Sequence, residues 1–311
     1  MKTKGQSEET LGKQRQQRHS VLFWVFSISA IPLTVLVVIL AAGYRFDGNT
    51  RSLVPSAAIM VETIPAEVTI SLNEDVTSTK TPFVRKLEPG NYRVLLEAPG
   101  YHSWEKQLVF KETKSLIFPR VVLFPETTPS LIEKTKVEST HNLISSLPEN
   151  LKETYQAAGW DDTSELQLLA GPADLIIDTK QSVAFIIEDA KDFSITGRFS
   201  AKIHDAEWND NRVLLYVTDN ELWIYDHRTE QHTLLQRQST PILDATWHPG
   251  GGYIFFSDAN GLSAIELDDR DHRQIWHLST TPSPTDLNVN AKGNTLTFAS
   301  DNLGYSLPLE Y

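Results

Sequence analysis

Six histidines, His204, His227, His232, His248, His272 and His277, lie in the later part of the chain. Imidazoles can ligate a metal or move a proton near neutral pH. Their spacing does not assemble that chemistry. None falls in an H-E-x-x-H pattern, and with no cysteine in the chain there is no Cys/His zinc set. His248, in "WHPGGGY", reads as a turn residue. "ELDDRDHR" holds Asp268, Asp269 and Asp271, superficially a calcium loop, but lacks the glycine and the distant glutamate of that motif. A solvated hairpin turn is expected there. "PGGGY" lacks the lysine and the helix of a phosphate-binding loop, and no G-x-S-x-G occurs. The reading therefore assigns no catalytic residue, no cofactor and no metal, and expects no enzyme.

The elements that must carry these residues repeat. "HDAEWNDNRVLLYVTDNELWIYD" is followed by "LDATWHPGGGYIFFSDANGLSAIEL" and then "TDLNVNAKGNTLTFASDNLGYSLPL". Asp205, Asp244 and Asp286 hold equivalent places, and so do Asp219, Asp258 and Asp301 in the turns. The period is about 40 residues, with several short strands per copy, which fits a propeller blade. Asp205 and Asp244 are read as polar groups tying one unit to its neighbour. Trp208, Trp223, Trp247 and Trp276 lie on the strands and read as core. A degenerate copy runs through "ADLIIDTKQSVAFIIEDAKDFSITG". "TWHPGGGYIFFSDANG" resembles blades of WD-repeat and Tol-type periplasmic propellers, with Gly250 and Gly251 where an Asp-Gly would stand. Residues 166–311 hold about three and a half units, whereas propellers have at least about four. A small or incomplete propeller, an open stack of sheets, or pairing with a second copy would each resolve the shortfall.

Residues 126–165 read as a polar linker with one short helix in "SLPENLKETYQAAGW". Before it, "AEVTISLN", "NYRVLLE" and "SWEKQLVF" alternate with period two, putting Val68, Ile70, Leu72, Val94, Leu96, Leu108 and Phe110 inward. "SLIFPRVVLF" adds a strand interrupted by Pro119, and the polar turns between them predict a small antiparallel β-sandwich over 58–125. These residues resemble the PEGA domain, through Pro65, Thr81, Pro82, Gly90, Tyr92, Gly100 and Tyr101, with Trp104 just beyond. The glycines usual between the first Pro and Ala and after "SLN" are missing. The resemblance implies a bacterial envelope module and carries no catalytic residue. Tyr101 and Trp104 read as core plugs, with a carbohydrate-stacking platform as the alternative.

At the N-terminus a basic tail, residues 1–20, precedes an uncharged run from Val21 to Ala42, with Trp24 near its start and Pro32 within it. That length matches the roughly 20 residues needed to span a bilayer, and the basic flank places the tail in the cytoplasm. A cleaved signal peptide ending at "LAAG" is the rival. Residues 43–57 read as a connector. The net charge of -12 argues against nucleic-acid binding. The expected protein is mainly β, with a single transmembrane helix, a PEGA-like module and propeller-like repeats. It would be a single-pass cell-membrane protein with its folded part outside the cytoplasm. As a binding or scaffolding module it would meet a protein or glycan partner of the envelope, with a second copy of the chain as a further candidate. The alternative is a glycan-acting hydrolase with carboxylates drawn from separate blades.

Overall fold

The computed structural model describes residues 24, 26–41, 43–47, 51–111, 114–133, 137, 145–157, 163, 165–188 and 195–310. The protein is mainly β, built of several small antiparallel sheets. It divides into two compact units. One comprises residues up to 62 with 81–92 and 108–120, and the other comprises 63–80, 93–107 and 121 onward.

The first unit opens with a helix, α1, over 26–41. Its large apolar side chains are exposed on every side: Phe26, Ile28, Ile31, Leu33, Val35, Leu36, Val37, Val38 and Leu40. Ser29 and Thr34 return their hydroxyls to the carbonyls of Phe26 and Ala30. Among the described residues, no helix is long and apolar enough to cross a membrane. The basic tail and the ends of the expected span, Val21 and Ala42, lie outside the described residues. Within the expected connector, Tyr44–Asp47 and Ser52–Pro55 pair as a two-stranded hairpin. Strand Ala57–Ile64 follows at the centre of a three-stranded sheet, flanked by Phe83–Leu87 and Ser115–Val122. Its alternation buries Ile59 and Val61 and leaves Met60 and Glu62 exposed. Pro119 sits exposed within the last of these strands, an edge strand, where no ladder donor is needed.

The second unit holds most of a four-stranded sheet ordered Asp75–Ser78, Thr69–Leu72, Gly90–Glu97, Trp104–Phe110. Four further sheets follow along the chain. The first runs Ser145–Ser146, Leu166–Leu169, Asp174–Asp178, Val183–Ile187, Ile195–Ser200; the second Asp205–Trp208, Val213–Val217, Glu221–Asp226, Gln231–Arg237. The third runs Ile242–Trp247, Tyr253–Asp258, Gly261–Glu266, Ile275–Ser279. Each is a simple meander, as the short strands and tight turns require. The fourth differs. Thr285–Val289, Thr295–Ser300 and Leu303–Pro308 supply three strands, and Ser130–Ile132 pairs antiparallel with Leu303–Pro308 as the outer fourth.

Apolar faces of successive sheets form shared cores. Leu175, Ile177 and Ile186 of the first sheet cluster with Leu214, Tyr216 and Tyr225 of the second. Leu215, Val217 and Leu222 of the second cluster with Ala245, Ile254 and Phe256 of the third. Strand Tyr253–Asp258 is buried on both faces, which explains its unbroken apolar run. Each fully buried side chain of this size contributes about 1.5–3 kcal/mol. The segment expected as a linker belongs to this unit. Helix α2, Glu149–Ala157, buries Tyr155, which with Leu147 packs on Leu166, Leu168 and Ile176.

Candidate functional site

Strand Trp104–Phe110 has four inward positions, and the second is a lysine. Lys106 is fully buried. Its ammonium forms an ion pair with Glu266, itself buried, and donates to the carbonyl oxygens of Asp268 at 2.9 Å and His272 at 2.6 Å. All three of its protons are thereby directed. The Glu266 carboxylate also accepts from the Trp104 indole at 2.9 Å and the Gln274 amide at 2.9 Å. Burial pushes the Glu266 carboxyl up, and the hydrogen bonds from Lys106 and Trp104 oppose it. A buried ion pair stands only when its remaining valences are satisfied, and here they are.

Backbone contacts extend the clip. The Glu105 amide donates to Gln274 Oε1, the Gln107 amide to Asp271, and the Trp276 and Gln274 side chains to the Ser103 carbonyl. Phe124 sits edge-on to Tyr253, Phe255 and Trp276. The "ELDDRDHR" loop is therefore more than the solvated turn expected of it. Asp268 binds Arg270, Asp271 binds the strand, and among the described residues no metal-holding cluster forms.

Beside the clip lies an open cleft of about 680 Å³ lined by His102, residues 126–129 and residues 277–281. Local pairing assembles it. Tyr101 and Pro125 form a bridge, with the His102 amide donating to Phe124 and the Glu126 amide to Gly100. This puts His102 and Glu126 on neighbouring segments, facing the strand that carries His277. Burial lowers the His102 pKa below the ordinary imidazole value; the Glu126 charge opposes this and His277 adds to it. Ser279 and Thr281 hydroxyls lie 2.9 Å apart, and Ser263 Oγ is 3.4 Å from His277 Nδ1. The described lining offers two imidazoles, one carboxylate and a row of hydroxyls, with neither lysine nor arginine. Such a surface suits uncharged hydroxyl groups better than phosphate or sulfate.

The structure distributes the residues singled out in the sequence. Pro65, Thr81 and Pro82 occupy turns, Gly90 begins strand Gly90–Glu97 with Tyr92 inside it, and Gly100 takes positive φ just before Tyr101. Trp104 is 1% exposed, so it serves the clip and offers no stacking platform. Asp205 accepts from the Ala245 amide of the next sheet at 3.1 Å, and Asp244 from the Leu287 amide of the sheet after that at 3.0 Å. Glu207 repeats the link to the Trp247 amide. Asp286 takes positive φ within its strand. Asp219 and Asp301 lie in hairpin turns and Asp258 ends the strand before one, with Asp219 paired to Lys202 and Asp258 to Gln238. His248 is buried. It accepts the Gly250 amide on Nδ1, so Nε2 carries the proton and donates to the Gly293 carbonyl at 3.0 Å. Lys106 and Glu266 escaped the sequence reading, although alternation in "SWEKQLVF" already turned Lys106 inward. His102 and Glu126 carried no sequence signal.

Residues 56–118 match the PEGA domain. No curated protein matches the chain. Among solved structures, the chain is similar to one titled "Crystal Structure of Mitotic Checkpoint Complex", at 11% identity and a TM-score of 0.36. The match covers 48% of this chain and 52% of the other, so it spans about half of that protein.

Proposed function

We propose that this protein is a membrane-anchored binding module of a bacterial cell envelope, with its sheets outside the cytoplasm. The uncharged run Val21–Ala42, if helical throughout, would be roughly 33 Å long, enough for a hydrocarbon core of about 30 Å. The all-round exposure of apolar side chains on α1 supports that placement. The PEGA-matching residues 56–118 follow the anchor along the chain, and the four later sheets would make a small propeller-like body. Ser130–Ile132 supplies the fourth strand of the last of these sheets.

The observation that carries the binding reading is the open cleft at His102 and His277, built on strands fixed by the buried Lys106–Glu266 clip. Its hydroxyl and imidazole lining favours a glycan or another uncharged, hydroxyl-rich surface. A retaining or inverting hydrolase needs a second carboxylate opposite Glu126, and the described lining supplies hydroxyls there. The test places a photo-crosslinking residue at exposed Thr280 in the full chain within its own envelope. A crosslinked species absent from a control at exposed Glu230 supports the cleft. Equal crosslinking at both positions overturns it.

A further inference from the structure

We infer that the hairpin Tyr44–Asp47/Ser52–Pro55 rests its Tyr44, Phe46 and Leu53 face on the lipid surface. This deepens the anchor reading above and rests on it. The geometry begins at Gly43. Its positive φ of 87 ends α1, and its amide donates to the Leu40 carbonyl at 3.2 Å. Its own carbonyl accepts from both the amide and the hydroxyl of Ser56, at 2.9 and 3.0 Å. The two feet of the hairpin therefore meet at the last turn of the helix, leaving no slack for the hairpin to swing away.

The register pairs Tyr44 with Pro55 and Phe46 with Leu53. Side chains two apart along a strand share a face, as do directly paired ones. Tyr44, Phe46, Leu53 and Pro55 thus form one apolar face. Phe46 is 64% exposed, Leu53 44% and Tyr44 38%. The hairpin is a two-stranded sheet paired to no further strand among the described residues. An isolated hairpin of this size is marginal in water unless something covers its apolar face. What covers it follows from continuity. The apolar surface of α1 runs directly into this face, and aromatic rings beside a spanning helix settle at the headgroup level. The exposed Arg51, at the far turn, adds a cation able to meet lipid phosphate.

The chain has no cysteine, so single introduced cysteines report alone. Full-length protein carrying a nitroxide at Phe46→Cys, Leu53→Cys, Ser52→Cys or Leu36→Cys is reconstituted in phosphatidylcholine–phosphatidylglycerol discs. Its collisions with oxygen and with a water-soluble nickel chelate are then compared. The expected result is dominant oxygen accessibility at Leu36, Phe46 and Leu53, and dominant chelate accessibility at Ser52. Oxygen dominance at Leu36 with chelate dominance at Phe46 and Leu53 overturns the hairpin inference and leaves the anchor standing. Chelate dominance at Leu36 overturns both. Immobilised labels at Phe46 and Leu53 reached by neither reagent mean that protein covers the face, and overturn the inference as well.

Discussion

A lysine ammonium held in the interior costs several kcal/mol of lost hydration, which only well-placed partners offset. Lys106 meets that demand with one carboxylate and two carbonyls. Lys106→Met leaves Glu266 buried without its counter-charge and should destabilise the protein by about 3–5 kcal/mol. The double change Lys106→Met with Glu266→Leu removes both charges and should recover most of that loss; denaturant unfolding of the full chain in detergent measures both. Asp271 predicts a pH effect. The Gln107 amide, above all, holds its carboxyl below the usual carboxylate range. A group depressed on folding adds stability above its unfolded value, near 3.9, and loses it as pH falls through the folded value. Acid unfolding of Asp271→Asn should therefore lack that part of the descent below about pH 4. Neither member of the pair stood out in the sequence. Alternation turns Lys106 inward, but its partner Glu266 lies 160 residues on, at the end of strand Gly261–Glu266, and nothing local announces such a pairing.

At the scale of elements, the repeat period placed Asp205 and Asp244 at matching positions, and the structure uses both to bond the amide of the following sheet. An aspartate at or near the start of one sheet's first strand thus holds the first strand of the next. Asp244→Ala should strip the Leu287 amide of its partner at a cost of about 1–3 kcal/mol. Faster hydrogen exchange at Leu287, with the second sheet unchanged, would show it. A second link joins the third and fourth sheets through His248 and Gly293. Gly293 has φ of +77, and an added Cβ would lie 2.7 Å from His248 Nε2. Gly293→Ala is strained by both facts, so it should lower the melting temperature more than Ala substitution at Gly252, where a Cβ meets open space. The turn around His248 was legible as a turn. Its bond to Gly293 was not, because it depends on two turns 45 residues apart being stacked.

For the molecule as a whole, the count of repeats was legible only to a fraction. The copies gave three strands for the last sheet, and the fourth hid in Ser130–Ile132, a three-residue strand too short for alternation to reveal. The same holds for Ser145–Ser146 at the edge of the first sheet. Replacing residues 130–132 by Gly-Ser-Gly should leave Leu303–Pro308 as a bare edge. Hydrogen–deuterium exchange would then rise along that strand while the third sheet keeps its protection. This long-range pair also sets an order of events during synthesis. Ser130 bonds to Ser306 across 176 positions, so a ribosome making the chain leaves residues 130–132 waiting while three complete sheets emerge. At about 5–20 residues per second that wait is on the order of ten seconds or more. Throughout it, the nascent chain carries an unsatisfied strand that a chaperone, or a neighbouring nascent copy, could capture first.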